Sequence, residues 1–117
     1  MGGLREIIQG LDAGESVRGA AIIGEDGLVI HDALGSDADG EAVAALAVTT
    51  LRHAEQFGGA CRSGSLHTAV LEFGAGPAIL SALSGGATLV VLAHPDRDIG
   101  PLLYELRTRR DALTGLL

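Results

Sequence analysis

LHTAVLEFGAGPAILSALSGGATLVVLA, residues 66–93, consists of three apolar runs separated by two short glycine-rich breaks. Gly74-Ala75-Gly76 and Gly85-Gly86 supply residues that tolerate positive φ, and breaks this short join strands as antiparallel hairpins. The spacing predicts a meander of strands over residues 66–73, 77–84 and 87–93. Leu89-Val90-Val91-Leu92-Ala93 is apolar at every position, as suits a strand covered on both faces, so it is expected in the middle of a sheet. The strand at 66–73 follows a break in the chain rather than a hairpin. It is expected at a sheet edge, where an open apolar strand invites pairing with another chain.

Upstream, residues 17–24 read as a strand, Glu25-Asp26-Gly27 as a tight turn, and residues 28–32 as the returning strand. Leu4, Ile7, Ile8 and Leu11 recur at helical spacing, which predicts a short amphipathic helix stopped near Gly14. Residues 34–40 are rich in Gly and Asp and predict a loop ending in a helix cap, with Asp37 or Asp39 as the capping residue. A long helix should then run over about residues 40–57, with Gly58-Gly59 as its stop. Downstream, His94-Pro95-Asp96-Arg97 breaks the chain. Asp98 and Pro101 mark the start of a last helix striped by Leu102, Leu103, Leu106 and Leu113. Its Arg107, Arg109 and Arg110 lie toward the end where the helix dipole favours cations. The order helix, two strands, helix, three strands, helix predicts one α/β (α+β) domain over residues 1–117. It should be a sandwich with a five-stranded antiparallel sheet and helices on both faces.

At 117 residues the chain can bury roughly two thirds of the surface its unfolded form exposes, enough for one core. Hydrophobic residues make up 47% and aromatic residues 3%, so that core must be packed from Leu, Ile, Val and Ala. All eight basic residues are Arg, and the formal charge of -7 repels nucleic acid and anionic membrane. Cys61 is the sole cysteine, which excludes an intramolecular disulfide and leaves a zinc site short of ligands. The N-terminus lacks the apolar core of a signal peptide, and Glu6 stands where a myristoylation motif wants Ser or Thr. No apolar run approaches the ~20 residues of a membrane helix, so a cytoplasmic location is expected.

The long helix is the feature most suggestive of function. Residues 42–48 are all apolar, and a helix apolar on every side must be covered on every side. Val43, Leu46, Ala47, Thr50, Leu51, Ala54 and Phe57 carry the larger side chains and are assigned to the face against the sheet. The opposite face, with Glu41, Ala42, Ala45, Val48, Thr49, Arg52 and Gln56, is small and weakly polar. It suits close approach of another helix, although alanine can also serve helix propensity alone. A second copy about a two-fold axis is the simplest partner. Ala42, Ala45, Val48 and Thr49, with Leu66, Thr68 and Val70 of the expected edge strand, are therefore assigned to a homodimer interface. Arg52 and Gln56, beyond the seam, are assigned to a polar surface that binds a partner.

No catalytic constellation emerges. Cys61 and His67 lack a third group at any recognisable spacing, and His31, His53, His67 and His94 lack the paired spacing of metal sites. Neither phosphate-loop nor dinucleotide glycine pattern follows a strand, and Arg62-Ser63-Gly64-Ser65 reads as a polar loop. The expectation is a protein without catalytic residues, metal or cofactor.

The stretch Val17-Arg18-Gly19-Ala20-Ala21-Ile22-Ile23, the turn at Asp26-Gly27 and the strand Leu28-Val29-Ile30 resemble the roadblock / dynein light chain family. The apolar strand at 87–93, followed by Asp96, Gly100 and Leu106-Arg107, is similar to that family's closing pattern. The resemblance implies a roadblock-like (profilin-like) fold and a homodimer in which the long helices pack together and the third strands join into one sheet. It also implies a role like that of the bacterial MglB regulators, which bind a Ras-like small GTPase and modulate its cycle. A structural dimerisation scaffold and a small-molecule sensor domain are the alternatives.

Overall fold

The structure is a computed structural model that describes residues 16–36 and 38–115. The helix expected in the first dozen residues and Asp37 as a cap lie outside them. Strands β1 (Val17–Ile23) and β2 (Val29–Ala33) precede a long helix α1 (Gly40–Ala60). Strands β3 (Thr68–Leu71), β4 (Ala78–Ala82) and β5 (Thr88–Ala93) follow, then helices α2 (Gly100–Thr108) and α3 (Arg110–Thr114).

The sheet has five strands in the order β2-β1-β5-β4-β3, with every neighbouring pair antiparallel. β5 pairs with β1 on one side and β4 on the other, the central place its unbroken apolar run implied. β3 lies at an edge, also as expected. The β1–β2 turn is closed by the Gly24 amide donating to Leu28 O at 2.8 Å and the Gly27 amide to Gly24 O at 2.9 Å, with Gly27 at φ 84°. The strands of the meander are shorter than the apolar runs that announced them. In β3, for example, Leu66 and His67 precede the ladder, although the His67 carbonyl still accepts from the Ala82 amide at 2.9 Å. Gly76 is needed where it stands: it has φ 124°, and a Cβ there would overlap the Ala93 carbonyl oxygen.

Alternation along the strands divides the apolar residues between two cores. One face carries Ile22, Ile79, Leu89 and Val91, covered by Leu102, Leu106 and Leu113 of the C-terminal helices. The other carries Ile23, Leu80 and Val90, covered by Ala44, Ala47 and Leu51 of α1. Helices on both faces follow directly from that division. The C-terminal stripe breaks at Arg109, where α2 ends, and resumes in α3. Arg110 there donates from Nη1 to the Ala82 carbonyl at 2.8 Å, tying the last helix to the end of β4.

The long helix differs from its sequence reading in two respects. It does not stop at Gly58-Gly59 but continues to Ala60. It is closed by Arg62 in the left-handed region (φ 57°), with the Ser63 amide donating to Gly58 O at 2.8 Å and the Arg62 amide to Gly59 O at 3.1 Å. This is the glycine-type helix stop made by an arginine. Gly58 instead serves close passage: a Cβ on it would lie 3.3 Å from the Gly64 carbonyl oxygen. The second difference concerns which face meets the sheet.

Candidate interaction surface

Helix α1 starts at Asp39, whose Oδ1 accepts the Ala42 amide at 3.3 Å and satisfies a donor that the first turn leaves open. Its buried residues are Ala44, Ala47 and Leu51, with Val43 and Val48 partly buried beside them. Two alanines and one leucine thus make the helix's buried contact with the sheet. Leu46 and Phe57, assigned from sequence to the sheet-facing side because of their size, are turned out: they are 65% and 71% exposed. The sheet-facing stripe is rotated from the expected one so that Ala44 takes a place given to Leu46.

Of the residues assigned to a homodimer interface, Ala42, Ala45 and Thr49 lie exposed on the outer side of α1 with Leu46 and Phe57. The Thr49 hydroxyl donates to the Ala45 carbonyl at 3.0 Å, so it meets part of its hydrogen-bonding need within its own helix. Val48 is half-buried and packs against the core beneath α1, as does Leu66. Thr68 is half-buried in β3, its Oγ1 3.0 Å from Ser81 Oγ on β4. Val70, on the same strand, is exposed. The helix residues and the strand residues thus belong to two separate places, the outer side of α1 and the open edge of the sheet.

Arg52 and Gln56, assigned to partner binding, lie on a different side of α1 from Leu46 and Phe57. Together with Val48, Leu51 and Glu55 they form one wall of an open cleft of about 440 Å³. The opposite wall is Glu25 of the β1–β2 turn and the turn between β4 and β5, Leu83, Gly86, Ala87 and Thr88. Glu25 lies over Gly86, where a Cβ would come within 2.7 Å of its carboxylate. The cleft has an apolar floor and a rim with both signs of charge, a form that suits a protein side chain better than a small rigid ligand.

Sequence reasoning missed Leu46 and Phe57 as surface residues, because it placed the largest side chains inward. A usable signal was present in the alanines. Ala44, Ala47 and Leu51 form their own stripe at helical spacing, and a stripe of small residues marks where backbones approach. Cys61 is exposed at the end of α1, and His67 is exposed just before β3. Among the described residues no group of three His, Cys, Asp or Glu could hold a metal ion. Nor is any helix among them long and apolar enough to cross a membrane.

A five-stranded antiparallel sheet in the order β2-β1-β5-β4-β3, with a long helix on one face and the C-terminal helices on the other, defines a class of small α/β domains. Residues 4–93 match the family model of the Roadblock/LC7 domain, and the chain belongs to that family. It is similar to a solved Roadblock/LC7 domain from Streptomyces avermitilis, at 28% identity over 96% of this chain and 99% of that one, with a TM-score of 0.67. The gliding protein MglB of Thermus thermophilus shares the fold at 15% identity and a TM-score of 0.78, over 99% of this chain and 93% of that one. MglB of Myxococcus xanthus does so at 13% identity and a TM-score of 0.75, over 86% and 82%. A search of curated proteins gives no match.

Proposed function

We propose that the protein is a non-catalytic homodimeric regulator that binds a Ras-like small GTPase and modulates its cycle. The observation that carries the reading is the outer side of α1, where Leu46 and Phe57 stand exposed beside Ala42, Ala45 and Thr49 with no Lys, Arg, Asp or Glu among them. Large apolar side chains left on a helix also lined with alanine and threonine are what a helix offers to another protein surface. The open edge at β3, with Val70 exposed, offers a second copy backbone pairing as well. Family membership supports the same reading, since the roadblock resemblance implies this dimer and this class of partner.

In the proposed dimer the cleft walled by Arg52 and Gln56, at the border of the outer side of α1, serves as the GTPase contact. Binding can influence a GTPase cycle only if the two nucleotide states bind with different affinity. Titration calorimetry of the native protein against a candidate GTPase loaded with GTP or GDP tests this. One state should bind at least tenfold more tightly, and Arg52→Glu should weaken that complex while sedimentation still reports a dimer. Equal affinity for both states would favour a structural dimerisation scaffold instead. Nucleotide hydrolysis by the purified protein alone would refute the non-catalytic part of the reading.

A further inference from the structure

We infer that the cleft between α1 and the β1–β2 and β4–β5 turns receives an arginine side chain of the partner GTPase, its stem on the apolar floor and its guanidinium between Glu25 and Glu55. The inference rests on the reading of this cleft as the GTPase contact and names what enters it. Val48 and Leu51 of α1, with Leu83 and Ala87 of the β4–β5 turn, form the floor, and all but Val48 are buried. Thr88 lies among them and is 3% exposed. It stands beside Ile23 and Ala82 in its two ladders, and alternation along β5 puts its side chain with that of Val90 on the α1 face of the sheet. The Thr88 hydroxyl makes no hydrogen bond to any described residue. Among the described residues no buried side-chain oxygen or nitrogen is both sealed and unpaired, so this hydroxyl opens into the cleft. The floor therefore carries an acceptor in want of a donor.

The walls add two more acceptors. Glu25 and Glu55 are exposed on opposite sides of the cleft, and among the described residues neither carboxylate has a cation within ion-pair distance. Ionised carboxylates only accept, and the apolar floor below them suits an aliphatic stem. An arginine meets all of these conditions, because it joins such a stem to a permanent charge and a planar fork of donors that serves several acceptors at once. A lysine ammonium brings the charge without the fork, and an acidic side chain is repelled by both walls. Arg52 stands one turn before Glu55 on α1 and leaves the rim net acidic. It takes an acidic neighbour of the incoming arginine, which is why its reversal should weaken the complex. On the far side of Glu25 the β1–β2 turn borders a second open cleft of about 490 Å³, where Leu28 and Ile30 are exposed and offer contact to apolar residues flanking the arginine.

The acetylated and amidated peptide Ala-Leu-Arg-Leu-Ala is the probe, titrated into the native protein and followed through the backbone amide signals in NMR spectra. It should bind in the millimolar range with shifts gathered at residues 24–28, 48–56 and 82–88, and about tenfold more tightly than the same peptide with Glu in place of Arg. Glu25→Gln combined with Glu55→Gln should remove that preference. Thr88→Val keeps the shape and removes the hydroxyl, so it should weaken the arginine peptide about threefold with little change in thermal unfolding. Arg52→Glu should tighten the peptide although it weakens the GTPase complex, since the peptide brings no acidic neighbour. Equal binding of the two peptides, shifts centred elsewhere, no shift at millimolar peptide, or an undiminished preference in the double glutamine variant would overturn the inference. Calorimetry separates it from the reading it rests on. A GTPase that binds the double glutamine variant as tightly as the native protein would overturn the arginine contact alone. Ras-like GTPases that ignore the native protein while the arginine peptide still binds would overturn the GTPase reading and leave the preference of the cleft standing.

Discussion

Replacing Phe57 with alanine should separate the stability of the fold from that of the dimer. The ring is 71% exposed and on the outer side of α1, so within one subunit it contributes little to either core. With roughly 200 Å² of surface on a phenylalanine side chain, about 140 Å² per copy is available for burial. At about 25 cal/mol per Å², complete coverage contributes about 3.5 kcal/mol per copy, of which alanine retains the Cβ share. A loss of about 2 kcal/mol per copy, or about 4 kcal/mol per dimer, corresponds to a dissociation constant raised about 1,000-fold. Sedimentation equilibrium over a range of concentrations measures it directly. At protein concentrations low enough to keep both proteins monomeric, thermal unfolding of the variant should match the native protein to within about 0.5 kcal/mol. A variant with unchanged dimer affinity would show that Phe57 faces solvent in the assembly. One with a much less stable monomer would show that the ring belongs to the core.

Gly76→Ala should destabilise the fold by about 3 kcal/mol or more, read from urea unfolding, because the new Cβ meets a backbone carbonyl at a φ that alanine avoids. Leu89→Ala, at a fully buried position of the central strand, should cost about 2–5 kcal/mol by the same assay, with no direct effect on the surface of α1. Asp39→Ala should remove the α1 cap and cost about 1 kcal/mol, visible as a lower midpoint in thermal unfolding. Val48→Glu should lower monomer stability as well as assembly, since Val48 packs against the core beneath α1; thermal unfolding of dilute samples separates the two effects.

Much of the fold was legible because the strands announce themselves by composition. The apolar run ending at Ala93 suited a central strand, and the short glycine breaks between runs suited hairpin turns. What sequence reading could not fix was the rotation of α1 about its own axis. Residues 42–48 are apolar all round, so periodicity alone does not say which stripe faces the sheet, and assigning the larger residues inward put Leu46 and Phe57 on the wrong side. The deciding quantity is the distance between helix and sheet, which follows from Ala44 and Ala47 only once the packing is known. The end of α1 was missed for a related reason. Gly58 and Gly59 allow a helix to stop, but the carbonyls of both were claimed by amides of the following turn, and Arg62 accepted the left-handed conformation instead. For the candidate site, the helix residues Ala42, Ala45 and Thr49 were placed correctly as surface, whereas Val48 was drawn inward by its neighbours.

The unequal filling of the two cores has a dynamic consequence. On the side of the C-terminal helices, Ile22, Ile79, Leu89, Leu102 and Leu113 are all sealed from solvent, whereas beneath α1 the helix's own buried contribution is two alanines and Leu51. The free energy needed to lift a helix off the sheet scales with the apolar surface it covers, so α1 should open at lower cost than the central strands. Backbone amides of α1 should then exchange with deuterated water well before those of β1 and β5. Any partner that covers Leu46 and Phe57 should slow that exchange, making the rate along a single helix a direct reading of whether its outer side is occupied.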